Sequence, residues 1–282
     1  MGDDTACLVC LLLAGKYIAE HVDSPQWREI RREDAPGLLL VCNAGEEGLG
    51  NLKGVHKICE DFGDRIARFC TFDSSLSSIV DRAVGSKRFR VRVRTRGGHS
   101  YDDFGNDNAI AGLASLVGKL YGIRVPEGGK TTYNVGMISG GTSVNTIAQE
   151  AEMLYEFRSD RRENLEYMER QFMEVFDRAK AEGMDVSFKV IGVRPCEGQV
   201  DPKRKQALSD WAHRVVEEMT GQAPKHCAGS TDCNIPLSLG IPSVCVGSFR
   251  GAGAHTWEEY VETDSLEEGY KVAFGMIFGS RD

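Results

Sequence analysis

No stripe of lysine and arginine interleaved with aromatics occurs in the 282 residues, which removes the usual electrostatic footprint of a nucleic-acid binder. No apolar run approaches the roughly 20 residues needed to cross a bilayer. Leu8 to Ala14 is flanked by Asp3-Asp4 rather than by basic residues, so it reads as a buried helix and not as a signal-peptide core. Internal repeats and low-complexity tracts are missing. So is any Gly-x-Ser-x-Gly after a strand, which leaves a serine hydrolase built on Ser143 or Ser230 without its nucleophile elbow. A disulfide framework is also lacking. The nine cysteines are an odd number, and Cys7, Cys10, Cys42, Cys70 and Cys245 lie inside apolar runs, where cysteine acts as a small hydrophobe. Cys7 and Cys10 form a CxxC with no second pair at zinc-site spacing. This usage points to a reducing compartment, and the expected location is the cytoplasm, with no membrane and no nucleic acid among the partners.

What is present belongs to a globular chain, with 41% hydrophobic and 27% charged residues. The net charge of −8 suits a cation-binding site without demonstrating one. A helix is expected from Thr5 to about Glu20. Gly37 to Asn43 is continuously apolar between turn formers, as is Ile66 to Phe72, and both fit strands buried on two faces of an open α/β sheet. In such sheets ligands gather at the carboxyl ends of strands. Here those ends are Asn43-Ala44-Gly45-Glu46-Glu47-Gly48 and Asp73.

The pattern then changes. Arg88 to Arg94 alternates strictly, so one face is buried and the other wet. A helix (Asn108 to Tyr121), two strands (Thr132 to Ile138, Ala148 to Arg158), a long helix (Asn164 to Ala181) and a strand (Val186 to Val190) follow. That β-α-β-β-α-β order is ferredoxin-like. It predicts an insertion over 85–195, with the first domain split between 1–84 and 196–282. After Pro195 the expected elements are a helix over Lys203 to Met219, a buried strand over Ser243 to Val246 and a helix over Leu266 to Phe278.

Taken singly, the polar motifs have ordinary explanations: a Glu-Glu pair is a solvated turn, Asp3 a helix cap, His255 a surface residue. Together, three carboxylate segments and one histidine fall at strand ends or loops, a cluster that cations would neutralise. The motifs also resemble, in order, those of the M20 metallopeptidases and deacylases. Gly2-Asp3-Asp4-Thr5-Ala6, Gly45-Glu46-Glu47-Gly48, Gly97-Gly98-His99-Ser100, Thr142-Ser143-Val144-Asn145-Thr146 with Arg158, and Gly229-Ser230-Thr231-Asp232 with His255-Thr256-Trp257 carry the likeness.

The resemblance implies a zinc-peptidase-like α/β catalytic domain with a mixed sheet, plus an inserted ferredoxin-like lid through which two copies dimerise. It implies two divalent metal ions, zinc by preference, with manganese or cobalt as alternatives. Asp3 would bridge them, Glu47 and His255 would complete one site, and Asp73 would ligate the other. Glu46 would be the general base for a metal-activated water and His99 the oxyanion donor, while Asn145 and Arg158 would hold a substrate carboxylate. The implied substrates are small peptides or N-acyl amino acids.

One family feature is missing. Members carry a His-x-Asp strand upstream of the bridging aspartate, whereas the sequence in hand has two residues before Asp3. The one His-x-Asp present, His21-Val22-Asp23, follows the first helix and reads as a helix end and turn. The expectation is a chain that binds metal incompletely and hydrolyses poorly on its own; a non-catalytic dimeric module of the same fold is the alternative.

Overall fold

The computed structural model describes residues 2–25, 37–254 and 256–278, with side chains from residue 4 onward. The chain divides into two compact units. A base unit comprises Met1–Ala83 with Glu197–Asp282, and an inserted unit comprises Val84–Cys196.

In the base unit, a short π-helical turn (Gly2–Ala6) leads into α1 (Cys7–His21), and α2 (Lys53–Phe62) precedes strands β1 (Phe69–Phe72) and β2 (Ser78–Ala83). After the insertion come α5 (Pro202–Thr220), β9 (Lys225–Gly229), a short helix α6 (Asn234–Ser238), β10 (Ser243–Val246) and α7 (Ser265–Phe278). The main sheet has the order β1-β10-β2-β9. β1 and β10 run parallel, β10 and β2 antiparallel, β2 and β9 parallel. Every residue of β10 is buried, as an apolar run between two packed faces should be. Val244 and Val246 face Leu208, Trp211, Val215, Val272 and Met276, while Cys245 joins Val80, Cys233 and Leu237 on the other side. The helix α5 is well punctuated. Asp201 caps it by accepting from the Arg204 N–H, Pro202 occupies its first turn, and Gly221 ends it in the left-handed conformation.

Three expectations for the base unit fail. Instead of a buried helix, α1 exposes Leu8, Val9, Leu12 and Leu13. Strand β1 is half-buried throughout rather than buried on two faces. The run Gly37 to Asn43 is not a strand; it is coil, with Leu38 and Leu39 each more than half exposed and Cys42 exposed as well. A strand needs a neighbour to take its backbone hydrogen bonds, and among the described residues none lies beside this one. β1 is correspondingly the terminal strand of its sheet, with β10 on one side only.

The inserted unit is built as its alternation requires. β3 (Gly85–Arg94), α3 (Ala109–Tyr121), β5 (Thr131–Gly140), β7 (Glu150–Ser159), α4 (Arg162–Ala181) and β8 (Asp185–Arg194) form an all-antiparallel sheet of order β5-β7-β3-β8, and a two-stranded ribbon joins β4 (Gly98–His99) to β6 (Thr146–Ile147). One sheet face packs on both helices. Phe172 of α4 sits at its centre, stacked on Phe89 at 4.1 Å and on Tyr155 at 5.6 Å between ring centroids. The opposite face carries a ladder of charge pairs, Arg88–Glu156, Arg90–Glu152, Arg92–Glu152 and Arg94–Glu150. The unit's first and last strands are hydrogen-bonded neighbours, with Ser86 opposite Arg194.

Candidate functional site

In the base unit the Glu46–Glu47 loop is held against the start of α2 by backbone contacts. Gly54 N–H donates to Ala44 O at 3.0 Å and Leu52 N–H to Gly45 O at 2.8 Å. The fit is close enough to demand glycine at position 50: a Cβ there would lie 2.6 Å from both Cα and O of Gly45. At the loop's start, Asn43 Nδ2 donates to Asp232 Oδ2 at 2.9 Å, tying it to the turn after β9. Asp232 is itself buried, in a turn fixed by the Thr231 N–H donating to Asn234 Oδ1.

Asp73 follows β1 directly. Its N–H donates to Val246 O at 3.0 Å and its carbonyl accepts from Cys245 Sγ at 2.8 Å, so it sits where β1 and β10 both end. The next residue, Ser74, holds φ at +96°, a conformation costly without glycine, and its hydroxyl lies 3.3 Å from that of Ser78. The turn at the start of α1 reaches the same place. Burial pushes the Cys7 thiol far above its ordinary value, and the carboxylates of Asp4 and Asp73 push it the same way.

These elements enclose a cavity of about 2010 Å³. Asp4, Glu46, Glu47, Asp73 and Asp232 line it, together with Leu8, Leu38 to Val41, Phe69 and Trp211. Typical small-molecule pockets are roughly 300–1,000 Å³, so the space exceeds what a dipeptide fills. Of the expected metal set, Glu47 and Asp73 therefore share one cavity with the expected base Glu46. The Asp3 side chain and His255 lie outside the described residues, and among the described ones no three His, Cys, Asp or Glu side chains already converge on a common point. The donor set gathered here is oxygen, which fits a hard or borderline divalent cation rather than a thiophilic one. Sequence reading assigned Asp232, Asn43 and Ser74 no role. The turn residues around Thr231 were the one available signal.

In the inserted unit, the β4–β6 ribbon brings His99 opposite Thr146, and the Ser100 N–H donates to Asn145 O at 3.0 Å. His99 and Asn145 are thus neighbours. The His99 backbone N–H donates to Asp103 Oδ2 at 2.7 Å, and its Nδ1 lies 3.4 Å from the Tyr101 and Asp102 N–H groups and 3.3 Å from Asp102 Oδ2. Ser143 Oγ donates to Asn145 Oδ1 at 2.8 Å, which sets the orientation of that amide.

Arg158 is elsewhere. It stands eight residues along β7 from Glu150, the strand end nearest the ribbon, about 26 Å at strand rise. Its guanidinium is engaged by Glu156, with Nε 2.8 Å from Oε1 and an outer nitrogen 3.1 Å from Oε2. The fold does not bring it to Asn145, so one carboxylate cannot be held by both within one inserted unit. The physical reason is strand length: a motif spacing of thirteen residues spans a turn and nearly all of β7.

No helix among the described residues is long and apolar enough to cross a membrane. Residues 83–184 match the peptidase dimerisation domain of the M20 peptidases. A Haemophilus influenzae homolog of one subunit of p-aminobenzoyl-glutamate hydrolase is 35% identical over 194 residues, 66% of this chain and 44% of that protein. The chain thus spans less than half the length of this curated relative. Among solved structures, the aminopeptidase PepT of Bacillus cereus superposes with a TM-score of 0.69 at 23% identity, over 98% of this chain and 70% of that one. A tripeptidase from Staphylococcus aureus gives 0.68 at 20% identity, again over 98% and 70%. The inserted unit matches the dimerisation domain of the M20 peptidases, and the chain shares the fold of these two peptidases.

Proposed function

We propose that this chain is part of a dinuclear metal-dependent hydrolase that cleaves amide bonds in small peptides or N-acyl amino acids, working in the cytoplasm as a homodimer joined through its inserted units. The observation that carries the proposal is the shared cavity of Glu46, Glu47 and Asp73 at the carboxyl ends of an apolar segment and a parallel strand. Names of relatives agree with the chemistry: an aminopeptidase, a tripeptidase and a p-aminobenzoyl-glutamate hydrolase all act on bonds to amino acids.

Asp3, Glu47, Asp73 and His255 would hold two divalent ions, most naturally zinc. When bound, such ions polarise a carbonyl and lower the pKa of a coordinated water to about 7. Glu46 takes the proton of the attacking water and passes it to the leaving amine, the work of a general base within hydrogen-bond reach. The Asn43–Asp232 hydrogen bond and the tight Gly45–Gly50 approach support this reading, because they hold the backbone of the loop that carries Glu46. His99, supplied by the inserted unit of the second copy, would donate to the developing oxyanion, and Asn145 beside it would receive the substrate carboxylate. Arg158 takes no part at this location.

The cavity supports a further clause. Its width, the one-sided pairing of β1 and the exposed Leu38 to Val41 suit an additional strand between them, supplied by polypeptide outside these 282 residues and carrying the histidine the second metal position needs. The test is to assay N-acyl amino acids and small peptides with zinc, manganese or cobalt, using this chain and one extended upstream. Expected are weak turnover by the first, strong turnover by the second, and a fall of about 10²–10⁴-fold on Glu46→Gln in the active form. Full turnover by this chain alone would refute the incompleteness clause. A Glu46→Gln enzyme as fast as wild type would refute the mechanism.

A further inference from the structure

A second group of imidazoles and carboxylates lies at the other edge of the main sheet, on α5, β2 and β9, among residues that do not line the large cavity. His226 of β9 places Nδ1 2.7 Å from Asp81 Oδ2 and 3.2 Å from Ser209 Oγ, and Ser209 Oγ donates to the same Asp81 oxygen at 2.8 Å. The trio is not a hydrolytic triad. A nucleophilic serine must meet the ring nitrogen opposite the carboxylate, whereas Ser209 shares Nδ1 with Asp81 and is buried.

The opposite nitrogen, His226 Nε2, meets His213 Nδ1 at 2.9 Å. With ring planes 5° apart and centroids 5.2 Å apart, the imidazoles lie end to end across one proton. Asp81 fixes the tautomers: His226 carries its proton on Nδ1, so its Nε2 accepts, and His213 Nδ1 donates. His213 Nε2 in turn faces Glu217 Oε2 at 3.9 Å. The order is carboxylate, imidazole, imidazole, carboxylate.

We propose that His213 Nδ1 and His226 Nε2 form a surface site for a borderline divalent transition metal such as Zn²⁺ or Ni²⁺, separate from the ions proposed for the Glu46–Glu47 cavity. A gap of 2.9 Å between nitrogens, each about 2.0–2.1 Å from zinc, subtends about 90° at the ion, an ordinary cis angle. An ion so placed lies off the line between the nitrogens, so both rings must turn, each by roughly 45°, and side chains about one-third exposed have room for it. The metal takes the two lone pairs, and the proton formerly between them moves to His213 Nε2, where Glu217 accepts it. No proton is gained or lost. Both ligands then donate their outer N–H to a carboxylate, the arrangement that fixes tautomer and raises ligand basicity around protein-bound metals. Asp81 is partly buried and anchored by Ser209, so one half of that outer shell is preorganised. Water fills the other coordination positions.

The test is calorimetric titration of the full chain with Zn²⁺. A Glu47→Gln/Asp73→Asn double variant removes the cavity site from consideration. The expected result is a Zn²⁺ event that survives this double variant, weakens at least tenfold in His213→Ala or His226→Ala, and weakens about 10–100-fold in Asp81→Asn, the usual effect of losing an outer-shell partner. Copper(II) at one equivalent should give an electron paramagnetic resonance spectrum with two imidazole nitrogens. If His226→Ala misfolds, His213→Asn on the exposed side of α5 decides. Zn²⁺ binding that is unchanged in the histidine variants, or that vanishes in the double variant, overturns the proposal. An absent cavity event beside an intact histidine event would count against the hydrolase reading alone.

Discussion

Replacing Arg158 by leucine separates a structural arginine from a substrate-binding one. Arg158 and Arg88 flank Glu156 in the charge ladder, at 2.8 Å and 3.2 Å. Burial by itself would raise the Glu156 pKa, but the two guanidinium groups outweigh it, and the carboxyl titrates below its ordinary 4.5. The pair is neither fully exposed nor fully buried, with 36% of the Arg158 side chain and 26% of the Glu156 side chain accessible. Exposed pairs contribute about 0.2–1 kcal/mol and severed buried ones cost about 3–5 kcal/mol, so Arg158→Leu, which leaves Arg88 in place, should cost about 1 kcal/mol at pH 7. The sign with pH follows. A carboxyl whose folded pKa is depressed stabilises the fold above its unfolded value, and that stability fades as pH falls through 4.5 toward the folded value. Urea unfolding of wild type and variant at pH 7 and near pH 3 should therefore give a difference that shrinks with acid. Equal midpoints at pH 7, or loss of binding for a carboxylate ligand with no loss of stability, would refute the assignment.

Three further perturbations test the packing. Phe172→Ala empties the centre of the inserted unit's core and should cost about 3–5 kcal/mol by urea unfolding; a loss under about 1 kcal/mol would mean that the aromatic cluster does not pack as a unit. Tyr155 Oη is buried without a hydrogen-bond partner among the described residues, so Tyr155→Phe should be stabilising by about 1 kcal/mol, and a destabilised variant would reveal a missed partner. Gly50→Ala should increase hydrogen exchange across residues 43–48, because its Cβ meets the Gly45 backbone; unchanged exchange there would show that the loop has slack.

The inserted unit was legible because its signal is local. Alternation along Arg88 to Arg94 marks a sheet with one wet face, and β3 buries Phe89, Val91 and Val93 accordingly. The base unit was legible where partners are internal: Ser243 to Val246 is a strand because β1 and β2 flank it. The same composition in Leu38 to Val41 forms no strand, since apolar character does not supply a neighbouring backbone. Motif order singled out Glu46, Glu47 and Asp73, and the fold lines one cavity with all three, although the segment before Glu46 is no strand. Asp232 lies in the Gly229-Ser230-Thr231-Asp232 motif, but its tie to Asn43, 189 residues away, leaves no mark in the sequence. Arg158 fails for the opposite reason: proximity along a motif is not proximity in space when most of a strand intervenes.

The pairing of Ser86 with Arg194 leaves the inserted unit's entrance and exit on adjacent strands, about 4.8 Å apart. To the host chain, 113 residues thus occupy little more than the span of a tight turn. A lineage can lengthen, exchange or discard such a module without rerouting the rest of the polypeptide.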